Sequence, residues 1–371
     1  MCIRDSLITI FFVGIFHFLS ADLEYSESEN RVLAKLPELT WTTIADGSFM
    51  ADFESYLADQ FPMRDTLISI KTTCDRILGK NKENGIYIGE KGFLFDSQTE
   101  FSKEKVKEMT DAISSFIKKS KIENKVVCIA PNSSYVYSDY FPEFLDMPSQ
   151  KDMLEEISAQ LSDSVKVIDT CKVMKRTAKD NDNLYYRTDH HWTTLGAYEI
   201  FKSLSKVWGL NSENIAYDFF TVSTSFEGTL GSKAGVHEAT DEIIVCVPQK
   251  SEGTYVVNFE KAGVKSGSFF FKDKLEQKNQ YEVFLGGNYD KITITTMADN
   301  EKSLLLIKDS YANCFVPMLT PYFSKIVMID PRYLTDSLSA IVSENSFTHL
   351  LFLYNMNTFL EDSSLVSCLE S

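Results

Sequence analysis

Positive charge is in short supply. Across 371 residues, 37 Lys+Arg stand against 53 Asp+Glu, for a formal net charge of −16. No basic run offsets the deficit locally. That excludes a nucleic-acid partner, which needs a concentrated cationic face. Long apolar runs are scarce as well. The one candidate, Leu7 to Leu19 (LITIFFVGIFHFL), is shorter than the ~20 residues of a bilayer span, so a polytopic membrane protein is excluded. The 7 cysteines contain no CxxC pair, which leaves a zinc ribbon or a thioredoxin-type site unsupported. Cys128 in VVCIA and Cys246 in IIVCV read as small core residues, and a disulfide framework does not suit this size and spacing. Histidine is confined to 5 positions: His17, His190, His191, His237 and His349.

What is present is a globular composition. Apolar residues make up 44%, and 27 Phe with 17 Tyr are too many for a chain that buries nothing. The length suits one large core, or a core with a small accessory segment. Arg4 before the apolar run and Ser20-Ala21 after it read as a signal peptide or signal anchor over residues 1–21, with a buried N-terminal helix as the alternative. The opening MCIRDS is similar to translated adapter sequence, which implies a truncated start. An exported chain works outside the cytoplasm.

Residues 22–84 read as a linker and N-terminal helices. Phe49, Phe53, Tyr56, Leu57 and Phe61 fall at helical spacing, Phe61-Pro62 ends that helix, and Asp65 is placed to cap a second one running to about Leu78. This stripe is a packing face and is assigned no chemistry. From 85 to 371 the texture alternates. Strands are expected at KVVCIA, VKVID, LLLI, KIVMID and HLLFLY, with helices at 102–120, 151–162, 194–207, 311–320 and 333–343. That alternation implies an α/β fold with a mostly parallel sheet covered on both faces. The pieces IIVCV, TYVVNF, SFFF, YEVFL and ITITT mark a β-rich insertion or antiparallel extension over about 215–300.

Chemistry in such sheets gathers at strand ends. In LYYRTDHHWTTLGAY, Asp189 and His191 are two apart, and in an extended segment they share one side while His190 points away. A carboxylate beside an imidazole can fix its tautomer, or the pair only fixes the turn. Thr193 or Thr194 caps the helix that follows. In SLLLIKDSYANCF, Ser310 sits where a strand gives way to a helix, either as a nucleophile or as an N-cap. In YEVFLGGNYD, Gly287 and Asn288 supply either oxyanion donors or an ordinary turn.

Taken together, LYYRTDHHWTTLGAY, FEGTLGSKAG, VFLGGN, IKDSYANCFVP, MIDPRYL and LFLYNMNTF resemble the DHHW family. That family is similar to SGNH hydrolases and to the alginate O-acetylation proteins of the bacterial cell envelope. ENRVLAKLPELT and YLADQFPMRD fit it too, so the resemblance spans Glu29 to Phe359. It implies a three-layer α/β/α SGNH-hydrolase-like fold. It implies Ser310 as nucleophile, His191 as general base and Asp189 as the orienting acid. Gly287, Asn288 and the backbone N–H of Ser310 or Tyr311 are the implied oxyanion donors. Two departures stand out: Lys308 occupies the place of a Gly before Asp-Ser, and the acid–His pair precedes the serine, which implies a permuted topology.

Four further residues are substrate-binding candidates, each with a plainer alternative: Arg187 and Arg332 as ion-paired residues, Trp192 as core and Asn355 as turn chemistry. FEGTLGSKAG, which carries Lys233 and has His237 just beyond it, lacks phosphate-loop spacing and reads as a mobile loop over the cleft. The implied function is O-acetyl transfer to a surface polysaccharide, with a membrane-bound O-acyltransferase as partner supplying the acyl group. An esterase and a non-catalytic glycan-binding protein are the alternatives. No cofactor or metal is expected: a metal phosphoesterase reading of Asp-His-His lacks further ligands.

Overall fold

A computed structural model describes residues 8, 11–12, 14–17, 19–26, 31–97, 101–142, 147–161, 165–210, 215–249 and 255–371. The Leu7–Leu19 run lies partly outside these residues. No helix among them is long and apolar enough to cross a membrane.

Among the described residues eight strands build the central sheet. In chain order they are β1 (Asn124–Ala130), β2 (Lys166–Val167), β3 (Tyr255–Phe259), β4 (Val264–Ser266), β5 (Lys291–Thr296), β6 (Ser303–Lys308), β7 (Lys325–Ile329) and β8 (His349–Asn355). Their spatial order is β4-β3-β5-β7-β6-β8-β1-β2. The β7-β6-β8-β1-β2 portion is parallel, and β5, β3 and β4 extend it as antiparallel strands. The β-rich stretch is therefore an extension of the main sheet, together with a separate hairpin of Tyr217–Phe226 and Asp241–Pro248.

The inner parallel strands β1, β6, β7 and β8 are apolar through their centres because both faces are covered. In β6, Leu304 and Leu306 join one cluster, with Ala197, Ile200, Phe201 and Leu204 of the helix Thr194–Trp208. Leu305 and Ile307 join the other, with Val106, Ile113 and Ile117 of the helix Lys103–Lys119. Each such buried side chain contributes about 2 kcal/mol. The result is the expected three-layer α/β/α fold.

Local chemistry fixes the ends. Thr193 caps Thr194–Trp208 by accepting from the Gly196 N–H at 3.2 Å. Ser102 caps Lys103–Lys119, whose last turn carries Lys118 and Lys119. The N-terminal helices are Ser48–Asp59 and Arg64–Ile77. The second begins one residue before Asp65, so Met63, not Asp65, stands at its cap position. On Ser48–Asp59, Tyr56 is buried and donates to Asp22 Oδ1 at 3.0 Å.

Some expected elements differ. SFFF and YEVFL are not strands: SFFF is irregular and leads into the 3-10 turn Lys272–Glu276, YEVFL begins within the 3-10 turn Gln280–Val283, and the two stretches meet in a single Phe270–Phe284 bridge. The expected helix 311–320 is instead a pair of 3-10 turns, Ser310–Ala312 and Val316–Leu319, with a proline at the start of the second. Helix 333–343 is the shorter Leu338–Glu344, starting where Ser337 can cap it.

The topology places the site. β7 follows β6 on one side and β8 lies on its other side. The connections diverge at the carboxyl end of β6, the place where open α/β sheets hold their sites. Ser310 lies two residues beyond that end.

Candidate active site

Asp309, not Ser310, is the cap of the turn that follows β6. Its Oδ1 accepts from the Tyr311 N–H at 2.9 Å, and its Oδ2 accepts from the Asn355 N–H at 2.8 Å. One buried carboxylate thereby ties the ends of β6 and β8 together, and burial pushes it above the ordinary carboxylate range. Ser310 is thus left without a capping duty. Lys308, the departure from the family pattern, is 1% exposed and turns beneath the site, where Nζ meets Asn313 Oδ1 at 3.0 Å and Asp330 Oδ2 at 3.3 Å.

The Asp-His-His segment is a bend, not extended backbone. Asp189 Oδ1 accepts from the His191 backbone N–H at 3.0 Å, closing an Asx turn. The same oxygen lies 2.6 Å from His191 Nδ1, and His191 Nε2 lies 2.8 Å from Ser310 Oγ. His190 does not point away: its ring centroid is 3.9 Å from that of His191. The other carboxylate oxygen, Asp189 Oδ2, accepts from the Thr229 N–H at 2.9 Å and from Thr229 Oγ1 at 3.0 Å. Burial by itself raises the Asp189 carboxyl. The imidazoles of His190 and His191, with the hydrogen bond from His191, outweigh it and hold the group well below the ordinary carboxylate range.

Thr229 belongs to FEGTLGSKAG, so that stretch is corrected from a mobile loop to a packed support. It forms the short helix Thr229–Ala234, with Leu230, Gly231, Ser232 and Ala234 buried. Gly228 has no room for a side chain, since a Cβ there meets Asp189 Cβ at 2.3 Å and the Thr188 carbonyl at 2.6 Å. Tyr281 is a second support that sequence reasoning missed, because YEVFL reads as a strand. Its ring stacks on His191 with centroids 3.8 Å apart and planes 12° apart, and its hydroxyl donates to the Ser310 carbonyl at 3.1 Å.

The other candidates divide. Asn288 Oδ1 accepts from Asn313 Nδ2 at 3.1 Å, which turns its own amide protons elsewhere. Gly287 has φ 129° and follows Leu285 and Gly286, also at positive φ, a backbone only glycine adopts readily at 287. The Tyr311 N–H is corrected as an oxyanion donor, because Asp309 already holds it. Arg332 is corrected as a substrate anchor: its Nε and Nη2 reach Asp330 at 2.8 and 2.7 Å in a two-point ion pair. Trp192 is fully buried and donates to the Tyr311 carbonyl at 2.9 Å, so it offers no face to a sugar. Asn355 is buried, with Nδ2 on Asn132 at 2.7 Å and Oδ1 capping Asn357. Arg187 pairs with neither Asp189 nor a cleft group; its guanidinium lies 5.5 Å over Phe93.

Asp189, His190 and His191 place three possible ligand atoms within 4.8 Å of one another. Two of them are already engaged, since His191 Nδ1 and Asp189 bond each other. The other histidines lie elsewhere: His17 beside Tyr56, His237 beside Glu227, and His349 between Trp208 and Phe323. The donor set suits proton transfer along a line from Ser310 Oγ to Nε2, with Nδ1 held by the carboxylate.

The fold has known counterparts. A DHHW family protein from Eubacterium siraeum DSM 15702 superposes with a TM-score of 0.65 at 20% identity, over 77% of this chain and 96% of that one. Bacillus cereus PatB1, solved with a sulfonyl adduct, superposes with a TM-score of 0.63 at 18% identity, over 76% and 97%. These likenesses establish a shared fold. No curated protein sequence matches. The family pattern described as DHHW protein matches residues 148–329. Asp189, His191 and Ser310 all fall inside that stretch.

Proposed function

We propose that this chain transfers an acyl group to a cell-surface polysaccharide through a covalent acyl-Ser310 intermediate. The observation that carries this reading is the unbroken line Asp189 Oδ1–His191 Nδ1 at 2.6 Å and His191 Nε2–Ser310 Oγ at 2.8 Å. Nε2 takes the hydroxyl proton as Oγ attacks the donor's acyl carbon. The imidazolium then protonates the leaving group, and the Ser310 ester remains. An acceptor hydroxyl gives its proton to the same Nε2, attacks the ester and regenerates Ser310. The Ser310 N–H, Gly287 and the Asn288 amide are the proposed oxyanion donors, each worth about 10²-fold or more in rate. The work is placed outside the cytoplasm, with the chain anchored or secreted, and a membrane-embedded O-acyltransferase is the proposed supplier of acyl groups.

A sulfonyl fluoride and an activated acetyl ester test the reading together. PatB1 is known with a sulfonyl adduct, and such reagents trap activated hydroxyls. Intact-mass analysis of the wild type is expected to show one adduct, located on Ser310 by peptide mapping, and none in Ser310→Ala. With oligosaccharide present, acetate should move to the sugar. Acetate released with no acetylated sugar assigns the site to an esterase; no adduct at all removes the nucleophile.

A further inference from the structure

The acyl-transfer line uses His191 and leaves its neighbour unexplained. His190 Nδ1 lies 2.9 Å from Thr229 Oγ1. That hydroxyl has one proton, and it is committed to Asp189 Oδ2 at 3.0 Å. An ionised carboxylate has none to return. Nδ1 can therefore meet Thr229 only as the donor, so the His190 proton sits on Nδ1 and Nε2 carries a lone pair. The Tyr311 hydroxyl donates to the His190 carbonyl, and the ring lies against His191. The imidazole is thus held at backbone, Nδ1 and face. Among the described residues Nε2 has no protein hydrogen-bond partner. The His190 side chain is 42% exposed, against 7% for His191.

We infer that His190 Nε2 accepts a hydrogen bond from a hydroxyl of the incoming acyl acceptor, and that this acceptor is a neutral glycan rather than a uronate polymer. The inference rests on the acyl-transfer reading and names its substrate class. A fixed lone pair selects a hydrogen-bond donor, and sugar hydroxyls are donors. Neutral and acidic sugars both carry such hydroxyls, so charge makes the choice between them: a uronate carboxylate would be brought toward the ionised Asp189, whose Oδ1 lies 3.6 Å from His190 Nδ1. Arg332, one of the two arginines that could have bound a uronate, is committed to Asp330. The net charge of −16 repels a polyanion from a distance as well. Desolvation of the packed face of the ring, and then His191, lowers His190 from the ordinary imidazole range.

The test follows acetyl from an activated ester to a neutral pentasaccharide and to a pentauronate, in the wild type, His190→Phe and His190→Gln. The wild type should favour the neutral acceptor at moderate salt. His190→Phe keeps a ring against His191 and should raise the acceptor KM about ten-fold, the scale of one lost hydrogen bond, while diverting acyl groups to water. His190→Gln, whose Oε1 is again an acceptor, should recover part of the loss. Imidazole nitrogen NMR of Ser310→Ala gives a readout free of chemistry: Nε2 should be unprotonated at pH 7 and shift with the neutral saccharide only. Equal transfer by His190→Phe, preference for the uronate, or a proton on Nε2 overturns the inference. A wild type that never acetylates Ser310 overturns the acyl-transfer reading and this one with it, and the mass spectrum tells that failure from the others.

Discussion

Asp189 shows how one side chain is made into a positioning group. Its two oxygens accept four hydrogen bonds, two from His191 and two from Thr229. The carboxylate cannot rotate without breaking most of them, so the His191 ring is fixed with Nε2 toward Ser310. Thr229→Val removes one of the four and keeps the backbone donor. Loss of a hydrogen bond to a charged group costs about 1.5 kcal/mol or more, so kcat for ester turnover is expected to fall about ten-fold with KM little changed. An unaltered kcat would show that the backbone N–H alone holds the carboxylate. The reacting groups were legible in the sequence because their chemistry needs rare residue types: the chain has 5 histidines, two of them adjacent. Thr229 and Tyr281 were not. Their contributions are contacts made 40 positions from Asp189 and 29 from Ser310, by residue types common everywhere.

Strands and helices with a full apolar period were legible at the scale of the element. β6 and β8 fall within a residue of their expected ends, since a run such as LLLI has one way to be buried between two helical layers. The turns were not, because they are decided by tertiary contacts. YEVFL has strand composition, yet Tyr281 is drawn into a 3-10 turn that stacks it on His191. The segment after Ser310 has a helical pattern, yet Pro317 and the Asp309 cap split it into two short turns. Glu227-Gly228-Thr229 is the clearest case of an element whose role is contact. The Gly228 backbone sits so near Asp189 that a methyl group would overlap its Cβ at 2.3 Å. The obstacle is backbone and a buried carboxylate, neither of which can give way cheaply. Gly228→Ala is expected to cost about 1–3 kcal/mol, the range for overpacking, and to lower kcat by displacing Thr229 from Asp189. A urea titration and ester kinetics on the same preparation check both. A stability loss with normal kcat would mean that Asp189 follows the displaced turn.

For the molecule as a whole, pH acts through groups far from the cleft. His349 opens β8 and is 5% exposed, wedged between the rings of Trp208 and Phe323 with centroids 5.0 Å away. Desolvation, with a smaller contribution from Lys302, pushes it down to about 4. In the unfolded chain it titrates near 6.5. Between those values the unfolded state binds more protons than the folded one, so stability rises with pH across the window and is lost as pH falls from about 6.5 to 4. Asp189 and Asp330, held low in the folded state, add their losses only below the unfolded carboxylate range, and Asp309, held high, acts in the opposite sense there. Above pH 4.5 the lowered imidazoles dominate, His190 together with His349, so the difference between wild type and His349→Phe is what isolates His349. From pH 7.5 to 4.5 this one imidazole should cost roughly 2–3 kcal/mol. His349→Phe keeps a ring between Trp208 and Phe323 and cannot take up a proton. Its unfolding free energy, from urea titrations at the two pH values, should decline by that much less than the wild type's. Parallel declines would place the acid sensitivity elsewhere, with His190 as the next group to substitute.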